Sequence, residues 1–146
     1  MDIETNISIL TTLIALFSAV LLYKTIKSNQ DLNKKILFSN ITKEERELRL
    51  KLEKYRERID NKKLTKHERE IAALNYDTML FNYYEYLAIS LYKGLVNESE
   101  TKLYFKELLI SVKDYFDSSI LFEENYAQKK EYKALQWLFK RWKIEY

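Results

Sequence analysis

The sequence contains no cysteine and no proline, a single glycine and a single histidine. A chain without cysteine forms no disulfide and no thiolate metal site, which is typical of proteins in a reducing compartment. Because His67 is the only imidazole, multi-histidine metal centres are excluded as well. Folds rich in β-turns need glycine and proline at those turns, so their scarcity predicts long helices. We therefore expect an all-α protein that holds neither a cofactor nor a metal ion.

Sequence motifs of catalysis are missing too. There is no glycine-rich phosphate loop, no G-x-S-x-G and no H-E-x-x-H. Neighbouring carboxylates such as Glu44 and Glu45 follow each other on a helix and point apart, so they make a poor acid–base pair. We expect a protein that is not an enzyme and has no catalytic residue.

Length, charge and hydropathy divide the 146 residues into three predicted segments. Residues 1–26 are expected to form a transmembrane anchor, residues 27–61 a basic juxtamembrane stalk, and residues 62–146 a helical cytoplasmic domain. The predicted fold class is all-α, with a single N-terminal transmembrane helix, a helical stalk and a small bundle of three to four helices.

The anchor is predicted from residues 7–23, which contain no charged residue, no proline and no glycine. Seventeen helical residues rise roughly 26 Å, which is near the lower limit for the core of a bilayer. A helix from Ile3 to Ile26 would span it more easily, because Lys24 can extend to the headgroups and Tyr23 can lie at the interface.

Two other interpretations of this segment are a cleaved signal peptide and a buried core helix. A signal peptide has a basic start and a small-residue cleavage site, whereas this chain starts with Asp2 and Glu4 and shows no A-x-A site. A core helix normally carries a polar stripe that includes charged residues, and residues 7–23 have none. A retained anchor is therefore favoured.

The orientation of the anchor is predicted from the charges on either side of it. Residues 1–23 carry two acids and no base, whereas residues 24–70 carry 15 Lys and Arg against 9 Asp and Glu. The positive-inside rule places the basic side in the cytoplasm, in the inner membrane of a bacterium, with the N-terminus outside. Four lysines after the anchor are expected to contact anionic lipid headgroups, at about 1 kcal/mol each. They are Lys24, Lys27, Lys34 and Lys35.

One face of the anchor carries small residues at spacings of three and four. Small side chains let two helices approach closely, and hydroxyl groups can form hydrogen bonds across such an interface. This anchor-association face predicts a homo-oligomer, although a chance distribution of common small residues is an equally good explanation. Its members are Ser8, Thr11, Thr12, Ala15, Ser18 and Ala19.

The stalk is expected to contain a helix that starts at Thr42, because Thr42 and Glu45 have the spacing of a capping box. A heptad-like apolar stripe follows, surrounded by mixed charges, which fits a coiled coil or a helix packed on one side. We expect this stripe to offer a docking surface for a protein partner. It consists of Ile41, Leu48, Leu52, Tyr55 and Ile59.

Three helices are predicted in the domain. Thr65 and Glu68 form a second capping box that starts the longest helix, and Gly94 stands where a left-handed residue would end it. Asn97 and Glu100 start the next helix, which breaks at residues 117–120. The last helix is expected from about residue 124 to residue 143.

A polar stripe on the central helix is a candidate hydrogen-bonded network or ligand groove. Its four residues, three or four apart, are Asn75, Thr78, Asn82 and Glu85. The solvent face of an amphipathic helix shows the same pattern and is favoured.

Twelve tyrosines and a basic, aromatic C-terminal tail with Trp137 and Trp142 are the remaining features. Aromatic residues beside basic ones can stack on nucleobases, and such a tail can lie on a membrane surface. Helical spacing favours core packing for both, and no RNA-binding signature is present, so nucleic acid is an unlikely partner.

Residues 68–143 resemble an uncharacterised bacterial family of small proteins, which have an N-terminal transmembrane helix and a helical domain of unknown function. The resemblance implies an anchor and a helical domain, links Asn82 and Glu85 as a structural pair, and assigns no chemistry. It rests on Asn82, Glu85, Ala88, Gly94, Leu95, Glu98, Tyr104, Tyr115, Leu135 and Trp142.

The sequence as a whole predicts a single-pass, membrane-anchored helical interaction or scaffold protein that self-associates and recruits a partner. The alternative is a membrane effector of a bacterial stress or phage-defence system, whose anchors oligomerise and perturb the bilayer. The small-residue face fits both, so the sequence leaves both open.

Overall fold

The computed structural model describes the backbone of residues 3–144 and the side chains of residues 11–144. Within these residues all regular structure is helical and there is no strand, as the sequence predicts. The helices are α1 (Ile3–Asp60), α2 (Lys66–Tyr92), α3 (Glu98–Asp117), α4 (Ile120–Glu123) and α5 (Lys133–Trp142), with a 3₁₀ turn at Lys129–Glu131.

The chain divides into two compact units, Met1–Ile36 and Leu37–Tyr146. The second unit includes the second half of α1, whose Ile41, Leu48 and Leu52 are buried in its hydrophobic core. The hydroxyl of Tyr83 on α2 also donates a hydrogen bond to the carbonyl of Ile41, at 2.8 Å.

Helix α1 passes through Thr42 without a break, so the prediction of a helix start there is wrong. The Thr42 hydroxyl donates to the carbonyl of Ser39 at 2.9 Å, the backward bond that threonine makes inside helices. Since residues 24–60 contain neither glycine nor proline, nothing in this stretch ends the helix.

The core of the second unit is centred on Phe81, which is fully buried on α2. Its ring lies 5.0 Å from that of Phe116 on α3, 5.6 Å from that of Phe122 and 5.8 Å from that of Tyr132. These contacts join α2, α3 and the segment that follows α3 around one aromatic cluster.

The starts of α2 and α3 agree with the sequence analysis. Thr65 and Glu68 form the predicted capping box, and the Asn97 side chain accepts a hydrogen bond from the amide of Glu100. Gly94, with φ at 66°, follows α2 in the left-handed region, where a residue with a Cβ is strained.

The prediction of one helix over residues 124–143 is wrong. α4 ends at Glu123, Asn125 adopts a left-handed φ of 57°, and α5 begins only at Lys133. The start of α5 is capped by a residue of α2: the Glu85 carboxylate accepts hydrogen bonds from the amides of Ala134 and Leu135, at 3.0 and 2.7 Å. This cap comes from a residue far away in sequence.

Candidate functional site

The first candidate site is the apolar half of α1 in the first unit. In the part of the chain that the structure describes, α1 is the one helix long and apolar enough to cross a membrane. None of the residues 11–33 is buried, and Leu16 and Phe17 are 59% and 66% exposed. Residues 11–33 therefore do not form a buried core helix.

The small-residue face of this helix is exposed where it is described. Thr11, Thr12, Ala15, Ser18 and Ala19 are all exposed, while the side chain of Ser8 lies outside the described residues. Among the described residues, nothing packs on Ala15 or Ala19 closely enough to bury them.

The lysines that follow the apolar run lie on the same unit. Lys24, Lys27 and Lys35 are exposed and line a shallow groove of about 460 Å³ together with Asp31, whereas Lys34 is half-buried and lies outside that groove. Three of the four predicted headgroup contacts are thus on one helical face, and one is not.

The structure does not join the polar stripe on α2 into a network. Asn75, Thr78 and Asn82 are exposed, while Glu85 is half-buried and caps α5. Glu85 is therefore a structural residue, and the solvent-face interpretation describes the other three.

A buried polar cluster on the neighbouring face of α2 escaped the sequence analysis. The carboxylate of Asp77 is fully buried and accepts hydrogen bonds from the hydroxyls of Tyr115, at 2.5 Å, and Ser119. Burial raises the pKa of Asp77, and the two hydroxyl donors offset part of that rise. The available signal was the position of Asp77 four residues before Phe81, on the apolar face of α2.

We expect the stability of the protein to depend on pH through Asp77. Because the folded state raises the pKa of Asp77 above its ordinary value of 3.8, this carboxyl stabilises the fold most at low pH and less as the pH rises. Asp77→Asn removes the titrating group, so the stability of the variant relative to wild type should increase above about pH 4, by at most about 1.4 kcal/mol per pH unit. Thermal unfolding between about pH 4 and 8 measures the difference, and Asp114→Asn, at an exposed position, should run parallel to wild type.

A second buried carboxylate, Glu45 on α1, also escaped the sequence analysis. Its side chain is only 3% exposed, and one oxygen accepts a hydrogen bond from Nε of Arg49. Glu45 lines a pocket of about 320 Å³ between α1, α2 and α3. Glu45 lies four residues after Ile41 and three before Leu48, which places it on the apolar stripe of α1. The sequence analysis interpreted Glu45 only as the partner of Thr42 in a capping box.

The C-terminal tail packs into the second unit. Trp142 is 2% exposed, and its indole N–H donates to Glu98 at 3.1 Å. Arg141 donates to both carboxylate oxygens of Glu98, each at 3.0 Å, and this pairing lowers the pKa of Glu98. The membrane-surface interpretation of the tail is not supported by these contacts.

Comparison with known proteins matches the chain to a protein family. A family model that is described only as a domain of unknown function matches residues 7–142, which include both the apolar run and the helical unit. No curated protein and no solved structure matches. Within residues 11–144, whose side chains the structure describes, no group of three or more His, Cys, Asp or Glu is placed to hold a metal ion.

Proposed function

Because the chain belongs to the family described as Domain of unknown function (DUF4760), we propose its role from its own residues: a single-pass membrane protein whose anchors associate and hold a non-catalytic helical domain at the cytoplasmic face. The match extends from the apolar run to Trp142, so the anchor and the domain are proposed to work together as parts of one protein.

The exposed apolar run on α1 is the observation that carries this proposal. Large apolar side chains that are about half exposed or more follow one another through this stretch. Soluble proteins rarely expose a contiguous apolar surface of this size to water. A bilayer covers such a surface, at about 25 cal/mol per Å² of apolar area removed from water. The exposed apolar side chains of this stretch are Leu13, Ile14, Leu16, Phe17, Val20, Leu21, Leu22, Tyr23 and Ile26.

Charge supports the cytoplasmic orientation. Lys24, Lys27 and Lys35 are exposed on one face at the end of the apolar run, while the residues before it include two acids. Lysines at this place stay on the cytoplasmic side during insertion and are attracted to anionic headgroups.

The association of the anchors is proposed through the small-residue face. Its exposed members leave room for a second copy to approach closely, and the alternative stripe on residues 41–59 is not free for this role. Ile41, Leu48 and Leu52 are buried in the core of their own unit, so three of the five residues of that stripe are already covered.

The absence of cysteine from the natural sequence provides a direct test. Ala15→Cys places a thiol on the small-residue face, and Phe17→Cys places one about 200° further round the same helix. In native membranes treated with a mild oxidant, we expect the Ala15→Cys chain to form a disulfide-linked dimer on a non-reducing gel.

The Phe17→Cys chain is the matched control, because it has the same expression, the same helix and the same depth within about one turn. It should remain monomeric under the same treatment. Equal cross-linking of both variants would indicate random collision, and no cross-linking of either would disprove association through this face.

A further inference from the structure

The exposed side of α2 carries no charge over most of its length. From Ile71 to Tyr92 every exposed residue of this helix is uncharged, although charged residues make up 32% of the chain. Six of these exposed residues are spaced three or four apart, so they lie within about 80° of arc around the helix. We call them the α2 face: Ile71, Asn75, Thr78, Asn82, Tyr86 and Ile89.

Other helices of the same unit have the charged solvent face that is usual for a surface helix. On α1 from Lys43 to Asp60, every exposed residue except Leu50 is charged. The exposed residues of α5 are two lysines and an arginine. Charged residues are depleted from the centres of protein interfaces, because a charge that is buried there loses its water. The α2 face therefore has the composition of a surface that another protein covers.

The spacing of the α2 face favours a second copy of this chain as that protein. Counted from residue 80, its members lie at −9, −5, −2, +2, +6 and +9, a pattern that stays nearly the same when the helix direction is reversed. Two antiparallel copies of α2 related by a twofold axis at residue 80 bring Ile71 level with Ile89 of the second copy, and Thr78 level with Asn82. Amide and hydroxyl side chains both donate and accept hydrogen bonds, so the face has the self-complementarity that a twofold interface requires.

We propose that the α2 face packs antiparallel on the α2 face of a second copy, with apolar contacts at both ends and amide and hydroxyl contacts in the middle. Six residues are far fewer than the roughly 20–30 that a standard interface takes from each partner, so the contact needs copies that are already held close together. In this respect it rests on the proposed function, because tethering to one membrane raises the local concentration of the second copy.

Cross-linking between two different cysteine variants tests the antiparallel pairing. Full-length Asn75→Cys and Tyr86→Cys chains, with tags of different size, are expressed together, and native membranes are treated with a mild oxidant. The two thiols lie nearly level across the interface, so we expect a mixed disulfide-linked dimer. Either variant expressed alone should give at least about tenfold less dimer, because its two thiols are offset by roughly 15–18 Å along the helices and a disulfide needs Cα atoms within about 7 Å.

A charge at the centre of the face should separate the two copies. Asn82→Glu, introduced into both cysteine variants, places two negative charges near the twofold axis, so we expect at least about tenfold less mixed dimer. Ser99→Glu is the matched control, because it adds the same charge at an exposed position on α3. It should leave the amount of mixed dimer unchanged.

Ala15→Cys, cross-linked in the same way, separates this inference from the proposed function. Dimers of Ala15→Cys without a mixed dimer would overturn the α2 pairing and leave the association of the anchors standing. A mixed dimer without dimers of Ala15→Cys would do the reverse, and the absence of both would overturn both. Equal dimer from either α2 variant alone, or a mixed dimer that survives Asn82→Glu, would also overturn the antiparallel pairing.

Discussion

Phe81→Ala is expected to destabilise the helical unit by about 3–5 kcal/mol, the usual loss when a fully buried phenylalanine is truncated to alanine. The ring of Phe81 is in contact with aromatic rings from α3 and from the segment after it, so its removal leaves a cavity that several elements share. Such a cavity collapses poorly, because Phe116 and Tyr132 are themselves held by other contacts. Since domains are stable by only about 5–15 kcal/mol, the variant should be close to unfolding at 37 °C.

Urea unfolding of the full-length chain in mild detergent, followed by tryptophan fluorescence, measures this loss, because Trp137 and Trp142 both lie on α5. Tyr126→Ala is the matched control. Tyr126 is 63% exposed and makes none of the ring contacts of the cluster, so its removal should cost less than about 0.5 kcal/mol. A loss below about 1 kcal/mol for Phe81→Ala would contradict the central position of this ring.

Local signals in the sequence were sufficient where neighbouring residues decide the structure. The capping box of Thr65 and Glu68, the cap at Asn97 and the left-handed Gly94 involve contacts within a few residues, and the structure confirms all three. The long apolar helix that could span a membrane is predictable for the same reason, because an uncharged apolar run is a property of composition alone.

Long-range contacts decided the features that the sequence analysis missed. The same capping-box spacing at Thr42 does not start a helix, because α1 continues through Thr42. The second half of α1 contributes buried residues to the core of the second unit. Glu85 caps α5 across 49 residues of sequence, which no periodicity reveals. Glu45 and Asp77 look like ordinary surface acids until the fold places apolar elements over them, although their positions on apolar faces could have indicated it.

The largest functional effect is expected from two arginines in the anchor, Leu13→Arg together with Leu16→Arg. An arginine at the centre of a membrane helix costs about 2.5–3.5 kcal/mol, so the pair costs about 5–7 kcal/mol. The ten Leu, Ile, Phe and Val residues of the run contribute only about 3–6 kcal/mol in favour of insertion, at about 0.3–0.6 kcal/mol each. We therefore expect nearly all of the wild-type chain to float with membranes on a sucrose gradient, and most of the variant to remain at the bottom.

Leu32→Arg together with Ile36→Arg is the matched control, because these residues are also exposed on α1 but lie beyond the lysines that end the run. It adds the same two charges on the proposed cytoplasmic side, where they reinforce the positive-inside orientation, so the control chain should float like wild type. Protease added to intact spheroplasts should leave residues 37–146 of the floating chains undigested, since the helical unit is proposed to lie inside. Flotation of the Leu13 and Leu16 variant to the same extent as wild type would mean that the apolar run is not what holds the protein in the membrane. Digestion of the helical unit from outside would reverse the proposed orientation while leaving the anchor in place.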